Sequence, residues 1–297
     1  MPIDSVWVAG EALIDLVATN QSPKPLVGGA AANTAKALAK LGVKTHLIGG
    51  ISFDNYGQLI SRELESFGVD LSLVYNSNKP TAIAETFIDE RGNASYSFQL
   101  EDTATFSFFK FLPVGKPSIL HIGSLATILE PGASNLLIWA HDLGVPIVFD
   151  PNVRDSVLYN KEVYRSYFKR WARISKYIKA SDEDLNFLEI DVEEILDLGV
   201  EAVVITKGAK GLSGIRKNYK IDVPALEIDV IDTIGAGDTV GAVVTAEILK
   251  YQNLNKENLE TVLRRCAIAA ALTCNKLGAS PPDLAEITLI EKHLDSR

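Results

Sequence analysis

Residues 232–238 read Asp232-Thr233-Ile234-Gly235-Ala236-Gly237-Asp238. An apolar run at 225–231 precedes them and reads as a strand, and a helical pattern at 239–250 follows. Three small residues between two carboxylates suit a helix N-terminus built to hold an anion. Without bulky side chains, the backbone N–H groups of Gly235, Ala236 and Gly237 can approach a phosphate closely. The helix dipole adds partial positive charge there. Asp238 then stands where a phosphate and a second substrate meet, as general-base activation of a hydroxyl for phosphoryl transfer requires. The dipole is expected to keep Asp238 ionised near neutral pH. A glycine-rich loop with an Asp cap accounts for the same seven residues, so the decision rests on the rest of the chain.

Outward from this run, short apolar segments alternate with helical patterns. Strands are expected at 6–10, 45–51, 118–122, 146–150, 177–180 and 202–206, and helices at 31–41, 56–67, 133–143, 162–174, 182–188, 192–198, 239–250 and 258–275. Such alternation predicts an α/β protein with a mostly parallel sheet covered by helices on both faces. Ligands of such sheets bind beyond the carboxyl ends of the strands, and Glu11, Asp15, Asp150, Arg154 and Thr206 all fall at or just after strand ends. Residues 81–100 break the alternation. Two period-two runs flank Arg91-Gly92-Asn93, a hairpin signal, and 76–80 reads as the loop before it. Spacing alone leaves that hairpin as a lid, an edge extension or a dimer surface. Asp182-Glu183-Asp184 reads as a solvated helix start.

Composition narrows the function classes. The chain has 297 residues, 47% hydrophobic and 23% charged, with net charge −9 and no basic cluster interleaved with aromatics. Nucleic acid and anionic membrane are therefore disfavoured as partners. No apolar run approaches the ~18 residues of a membrane span. The first residues carry Asp4 and Glu11 and lack a basic region before an apolar core, so no secretory leader is expected. Cys266 and Cys274 stand eight apart in a helical pattern, ~12 Å along the axis, too far for a disulfide. Both read as small core residues of a reducing, cytoplasmic protein. The four histidines show no ligand spacing, so zinc is not expected. The chain has neither the Gly-x-x-x-x-Gly-Lys-Ser/Thr loop nor a Gly-x-Gly-x-x-Gly after its first strand.

The 232–238 run resembles the C-terminal signature of the ribokinase-like (phosphofructokinase B) family of carbohydrate kinases. Gly28-Gly29-Ala30-Ala31-Ala32-Asn33-Thr34-Ala35, with Leu38-Ala39-Lys40-Leu41-Gly42 after it, is similar to that family's N-terminal signature. Asp150-Pro151-Asn152-Val153-Arg154, Thr206-Lys207-Gly208-Ala209-Lys210-Gly211 and Leu277-Gly278-Ala279-Ser280-Pro281-Pro282 follow in family order. The resemblance spans about residues 5–290. Within the family it is strongest toward bacterial fructokinases, through Gly10-Glu11-Ala12-Leu13-Ile14-Asp15 and Ala269-Ala270-Ala271-Leu272-Thr273-Cys274.

This resemblance implies a ribokinase-like α/β fold over 1–297 as one domain, with a small β lid from about 11–27 and 76–102. It implies an ATP-dependent sugar kinase acting on a primary hydroxyl, with D-fructose ahead of 2-keto-3-deoxygluconate, ribose or a related ketose. Asp238 would be the base, and Gly235, Ala236 and Gly237 the cradle for the transferred phosphoryl group. Asp15, Gly29 and Asn33 would face the sugar, and Arg154 would bind substrate near the sugar or the phosphoryl group. Thr206, Gly208, Gly211, Asn275, Gly278 and Ala279 would face the nucleotide. Mg2+ is expected with the nucleotide. The family's Asn-x-x-Glu motif near the metal is here Ser181-Asp182-Glu183-Asp184, so Asp184 would act on Mg2+ through water. Asp232 marks the family's monovalent-cation position, where K+ is the expected ion. A homodimer through the lid, a catalytically silent sugar-binding relative and a structural subunit remain open. Retention of both Asp238 and its cradle argues against the silent relative, and a structural subunit would predict a dimer independent of sugar.

Overall fold

The computed structural model describes residues 4–17, 24–88 and 94–296. The strands are β1 Val6–Ala9, β2 Leu13–Val17, β3 Lys24–Gly28, β4 Thr45–Ile48, β5 Gly50–Ser52, β6 Tyr75–Ser77, β7 Ile83–Ile88, β8 Ala94–Gln99, β9 Ile119–Gly123, β10 Ile147–Asp150, β11 Tyr177–Ser181, β12 Ala202–Thr206, β13 Leu212–Arg216 and β14 Tyr219–Val223. The helices are α1 Ala30–Lys40, α2 Asn55–Ser66, α3 Gly132–Leu143, α4 Lys161–Ala172, α5 Asp182–Leu188, α6 Val192–Asp197, α7 Ala236–Tyr251, α8 Lys256–Cys274 and α9 Leu284–Asp295. The main sheet runs β14-β13-β12-β11-β10-β9-β1-β4. All its pairings from β12 to β4 are parallel, and β13 and β14 close one edge as an antiparallel hairpin.

Two apolar cores hold the helices to the sheet. One gathers α1, α2, α7 and α8 around Val8, Leu38, Val244 and Leu263. The other gathers α3 to α6 around Phe149, Phe168, Trp171 and Ile195. Strands covered on both faces read as near-continuous apolar runs, as Val-Trp-Val-Ala and Ala-Val-Val-Ile do here. A separate four-stranded sheet runs β3-β2-β7-β8. In it β7 and β8 form the expected antiparallel hairpin, whose turn, Arg91-Gly92-Asn93, lies outside the described residues. This small sheet is anchored at its base. Asp54, the N-cap of α2, accepts from the N–H of Gly57 (2.7 Å), the N–H of Thr81 (2.8 Å) and the hydroxyl of Thr81 (2.7 Å).

Four local expectations change. Residues 225–231 form no strand. No strand pairs beyond the edge strand β14; Leu226 packs against the first core, and Ile228, Val230 and Ile231 stay exposed. The segment is tied instead by the N–H groups of Ile231 and Asp232, which both donate to the carbonyl of Cys274 (2.8 and 3.1 Å). The run 45–51 breaks at Gly49, and β5 turns away to pair with β6, so residues 76 and 77 are strand rather than loop. Cys266 is a core residue, but Cys274 is only half-buried, near the C-terminus of α8. Asp184 is not a solvated helix start. It is buried and forms a reciprocal capping box with Ser181. Among the described residues, no helix is long and apolar enough to cross a membrane.

Candidate active site

Asp238 is the third residue of α7, and Gly235 is its N-cap at φ 78°. The N–H groups of Gly237 and Asp238 lie in the first turn, beyond reach of any carbonyl of the same helix. Gly235 is required twice over. Its backbone is left-handed, and a Cβ there would stand 2.6 Å from the Cβ of Ala279. Ala279 belongs to a turn that Asp232 fastens to the cradle, its Oδ2 accepting from Gly278 N–H (2.8 Å) and its Oδ1 from Ile234 N–H (3.0 Å). Asn275 caps α8 and donates to the carbonyl of Asp229 at 2.9 Å. The cradle and the 275–279 turn are thus one bonded unit.

The small sheet feeds directly into the site, because β3 ends at Gly28 and α1 begins at Ala30. A Cβ on Gly28 would lie 1.9 Å from an Asp15 carboxylate oxygen. Gly29, at φ 98°, would strike the carbonyl of Glu11 at 2.5 Å. These glycines let Asp15 and Glu11 close on the start of α1. Asn33, on the first turn of α1, donates to Asp238 Oδ2 at 2.9 Å, and its own Oδ1 is buried without a partner. Asn152 approaches Asp238 Oδ1 at 3.5 Å. Arg154 follows it, fixed by its N–H to the hydroxyl of Tyr164 (3.0 Å) and by its guanidinium to the carbonyl of Val153 (2.9 Å).

The electrostatics follow from burial. Burial pushes Asp238 above its ordinary value, against the pull of Lys179, Asn33, Arg154 and Lys36. The expected effect of the helix dipole therefore meets a larger opposing one. A carboxylate raised in this way has more affinity for a proton, which suits a base. Burial raises Asp15 to about 6 and Glu11 to about 7, with Arg154 opposing both. Glu11 Oε2 is buried without a partner. Asp150, at the end of β10, is raised to about 6 by burial and ion-paired with Lys179 at 3.0 Å.

Thr206 ends β12 on the same carboxyl edge of the sheet, and a tight turn, residues 208–210, follows. Gly208 and Gly211 have φ 53° and 89°, and a Cβ on Gly211 would lie 2.1 Å from the carbonyl of Val223. Asp184 lies elsewhere in the network. Its Oδ1 accepts from Val153 N–H and its Oδ2 from Ser181 N–H, both at 2.8 Å. The structure thus brings Asp238, Asn33, Asp15, Gly29 and Arg154 together, and sets Asn275, Gly278 and Ala279 against the cradle. Sequence reasoning assigned no role to Glu11, Asn152 or Lys179. The available signals were a strand-end carboxylate, an Asn after Pro, and a lone lysine within the buried strand Tyr-Ile-Lys-Ala-Ser.

A profile of the pfkB family carbohydrate kinases matches residues 4–286. A fructokinase of Rhizobium leguminosarum bv. trifolii is 36% identical over 265 residues, covering 84% of this chain and 81% of that protein. The fructokinase of Vibrio cholerae O395, solved with fructose, ADP and calcium ion, superimposes with TM-score 0.85 at 26% identity, covering 97% of this chain and 98% of that one. The ATP-bound fructokinase of Xylella fastidiosa superimposes with TM-score 0.87 over 98% and 99% of the two chains, at 22% identity, a likeness of fold.

Proposed function

This chain belongs to the pfkB family of carbohydrate kinases, and on that premise we propose that it is the ATP-dependent kinase of D-fructose, phosphorylating the primary 6-hydroxyl. The observation that carries this reading is Asp238, buried in the first turn of α7 and hydrogen-bonded by Asn33, whose remaining oxygen is unpartnered. The Rhizobium relative's name and the fructose and ADP of the Vibrio structure support the choice of sugar.

In this reading Asp238 accepts the proton of the sugar hydroxyl and orients its oxygen toward the γ-phosphorus. Phosphoryl transfer passes through a loose transition state, so orientation matters as much as proton transfer. The N–H groups of Gly235, Ala236 and Gly237 receive charge developing on the transferred group, that of Ala236 giving up its long bond to the carbonyl of Thr233 (3.3 Å). Asp15, Gly29 and Asn33 hold sugar hydroxyls, with the unpartnered oxygens of Asn33 and Glu11 as acceptors. Arg154 offsets the charge of the approaching phosphates. The turn after Thr206, with Gly208 and Gly211, and the turn at Asn275, Gly278 and Ala279 hold the nucleotide.

Among the described residues, no group of three or more His, Cys, Asp or Glu side chains could hold a metal ion. The donor set fits a Mg2+ carried by nucleotide phosphates and water, which neutralises their charge when bound. Asp184, with a backbone N–H on each oxygen, contributes to such an ion only through water. Asp232 is the candidate for K+: its oxygens accept one N–H each, as those of Asp184 do, but Asp232 is only half-buried, so their remaining lone pairs stay open to an ion. The small sheet serves as the lid over the sugar. Its edge strand β8 is the surface on which a second copy would dock. A cytoplasmic location completes the reading, since ATP is supplied there.

The test is ADP release with MgATP across fructose, 2-keto-3-deoxygluconate, ribose, tagatose, glucose and adenosine, with phosphorus NMR of the product. The highest kcat/KM is expected with fructose, and the phosphate on the C6 oxygen. A higher value with another sugar would replace the substrate. Silence across the panel would remove the kinase reading.

Replacing Asp15 by Ala deletes charge-assisted hydrogen bonds to the sugar, so KM for fructose should rise about 10- to 100-fold. The wild-type KM should also rise as pH falls through about 6, because burial raises Asp15 to that value and the ionised acceptor is lost below it. Steady-state kinetics against pH check both. A sugar KM unchanged in the variant would remove Asp15 from the sugar pocket.

A further inference from the structure

Lys179 sits mid-strand on β11 with its side chain only 4% exposed, and its ammonium donates to Asp150 Oδ2 at 3.0 Å. The pair lies against the first two turns of α7. A Cβ on Gly237 would stand 3.1 Å from Lys179 Nζ. One turn on, a Cβ on Gly241 would stand 3.5 Å from Asp150 Oδ2 and 3.0 Å from the ring of His121. Two glycines of α7 therefore make room for a buried ion pair directly beside the cradle. Such a pair is costly to desolvate, and an apolar replacement of similar volume is often as stable or more so. Stability of the core therefore gives no reason to place it here.

We infer that Lys179, held by Asp150, is a positioning residue for phosphoryl transfer, its ammonium keeping Asp238 in the charged form that can take the sugar proton. The inference rests on the role proposed above for Asp238. The charged groups facing Asp238 come from every side: Asp15 on β2, Lys36 on α1, Asp150 and Arg154 at and after the end of β10, and Lys179 on β11. Among those that favour the ionised form, Lys179 acts most strongly. Asp184 on α5 faces the same ammonium. His121 on β9 meets Thr245 at 2.9 Å, and burial holds its pKa near about 3, so it adds no charge. Burial alone would lower Lys179, but Asp150, Asp184 and Asp238 outweigh it and raise it, so the ammonium persists.

The test is the pH dependence of kcat at saturating fructose and MgATP for the wild type, Lys179→Met and the double variant Asp150→Asn/Lys179→Met. The double variant removes both charges of the ion pair, so Asp150 is not left buried and unpaired, and it should fold even where the single one does not. Thermal unfolding monitors this. In Lys179→Met the acid limb should move to higher pH by about one to three units. The double variant should move it the same way by less, since the repulsive Asp150 charge has gone too. A purely structural role would lower kcat equally at all pH and leave the limb in place, and that result in either folded variant overturns the inference. A wild type that phosphorylates none of the sugars would instead overturn the proposed function beneath it.

Discussion

Asp238→Asn should lower kcat for fructose by about 10²- to 10⁴-fold, the span that a positioned general base contributes. The substitution keeps shape but removes the negative charge and, with it, the ability to take a proton. Its amide oxygen can still accept from Asn33, which now donates at 2.9 Å. Fructose and MgATP should therefore still bind, with dissociation constants by calorimetry close to those of the wild type. Stability should not fall, because burial opposes the ionised form of Asp238 and the neutral amide escapes that cost. The melting temperature is expected to hold or rise while turnover collapses. Turnover close to the wild type would exclude Asp238 as the base.

Gly235→Ala should produce the second largest loss. An L-residue at φ 78° carries about 1–2 kcal/mol of backbone strain. Its methyl would also stand 2.6 Å from the Cβ of Ala279, well inside contact distance. Ala279 cannot retreat freely, because Asp232 binds Gly278 N–H and Ile234 N–H at once. The cradle itself must shift, and misplacement by about 1 Å costs about 10²-fold in rate. The loss should fall on kcat and on the KM for MgATP, with the KM for fructose little changed, since Asp15, Gly29 and Asn33 lie on other elements. Steady-state kinetics against both substrates check this. An unchanged kcat would mean that the start of α7 does not receive the transferred group.

Much of this fold could be read before any coordinates, because buried parallel strands and amphipathic helices imprint different periods on the chain. The strands at 6–10, 146–150 and 202–206 and helix α5 fall where that patterning put them. Residues 225–231 show where it fails. Alternation marks a segment able to form a strand, but pairing needs a neighbouring edge, and the carbonyl of Cys274 took its place. Helix α9 was missed, although Asp283 and Glu286 spell the capping box that starts it. The hairpin of β13 and β14 was missed too. Its strands are short, and its outer face alternates with charges.

The candidate site divides in the same way. Motif residues clustered because each lies at a strand end or helix start, where the sheet topology gathers them. Glu11, Asn152 and Lys179 left weaker marks. What sets Lys179 apart is its distance to Asp150, 29 residues away, and that separation only the fold can close. Asp184 looked solvated because it stands in an acidic run, yet two backbone N–H groups claim its oxygens.

The most direct test of the central claim is a crystal structure of the wild-type protein with fructose and ADP. The account predicts the sugar between the small sheet and α7, its 6-hydroxyl within hydrogen-bond distance of Asp238. It places Asp15 and Asn33 on other hydroxyls, and the terminal phosphate of ADP facing the N-terminus of α7. A sugar bound away from Asp238, or a nucleotide whose phosphates point away from Gly235, Ala236 and Gly237, would contradict it.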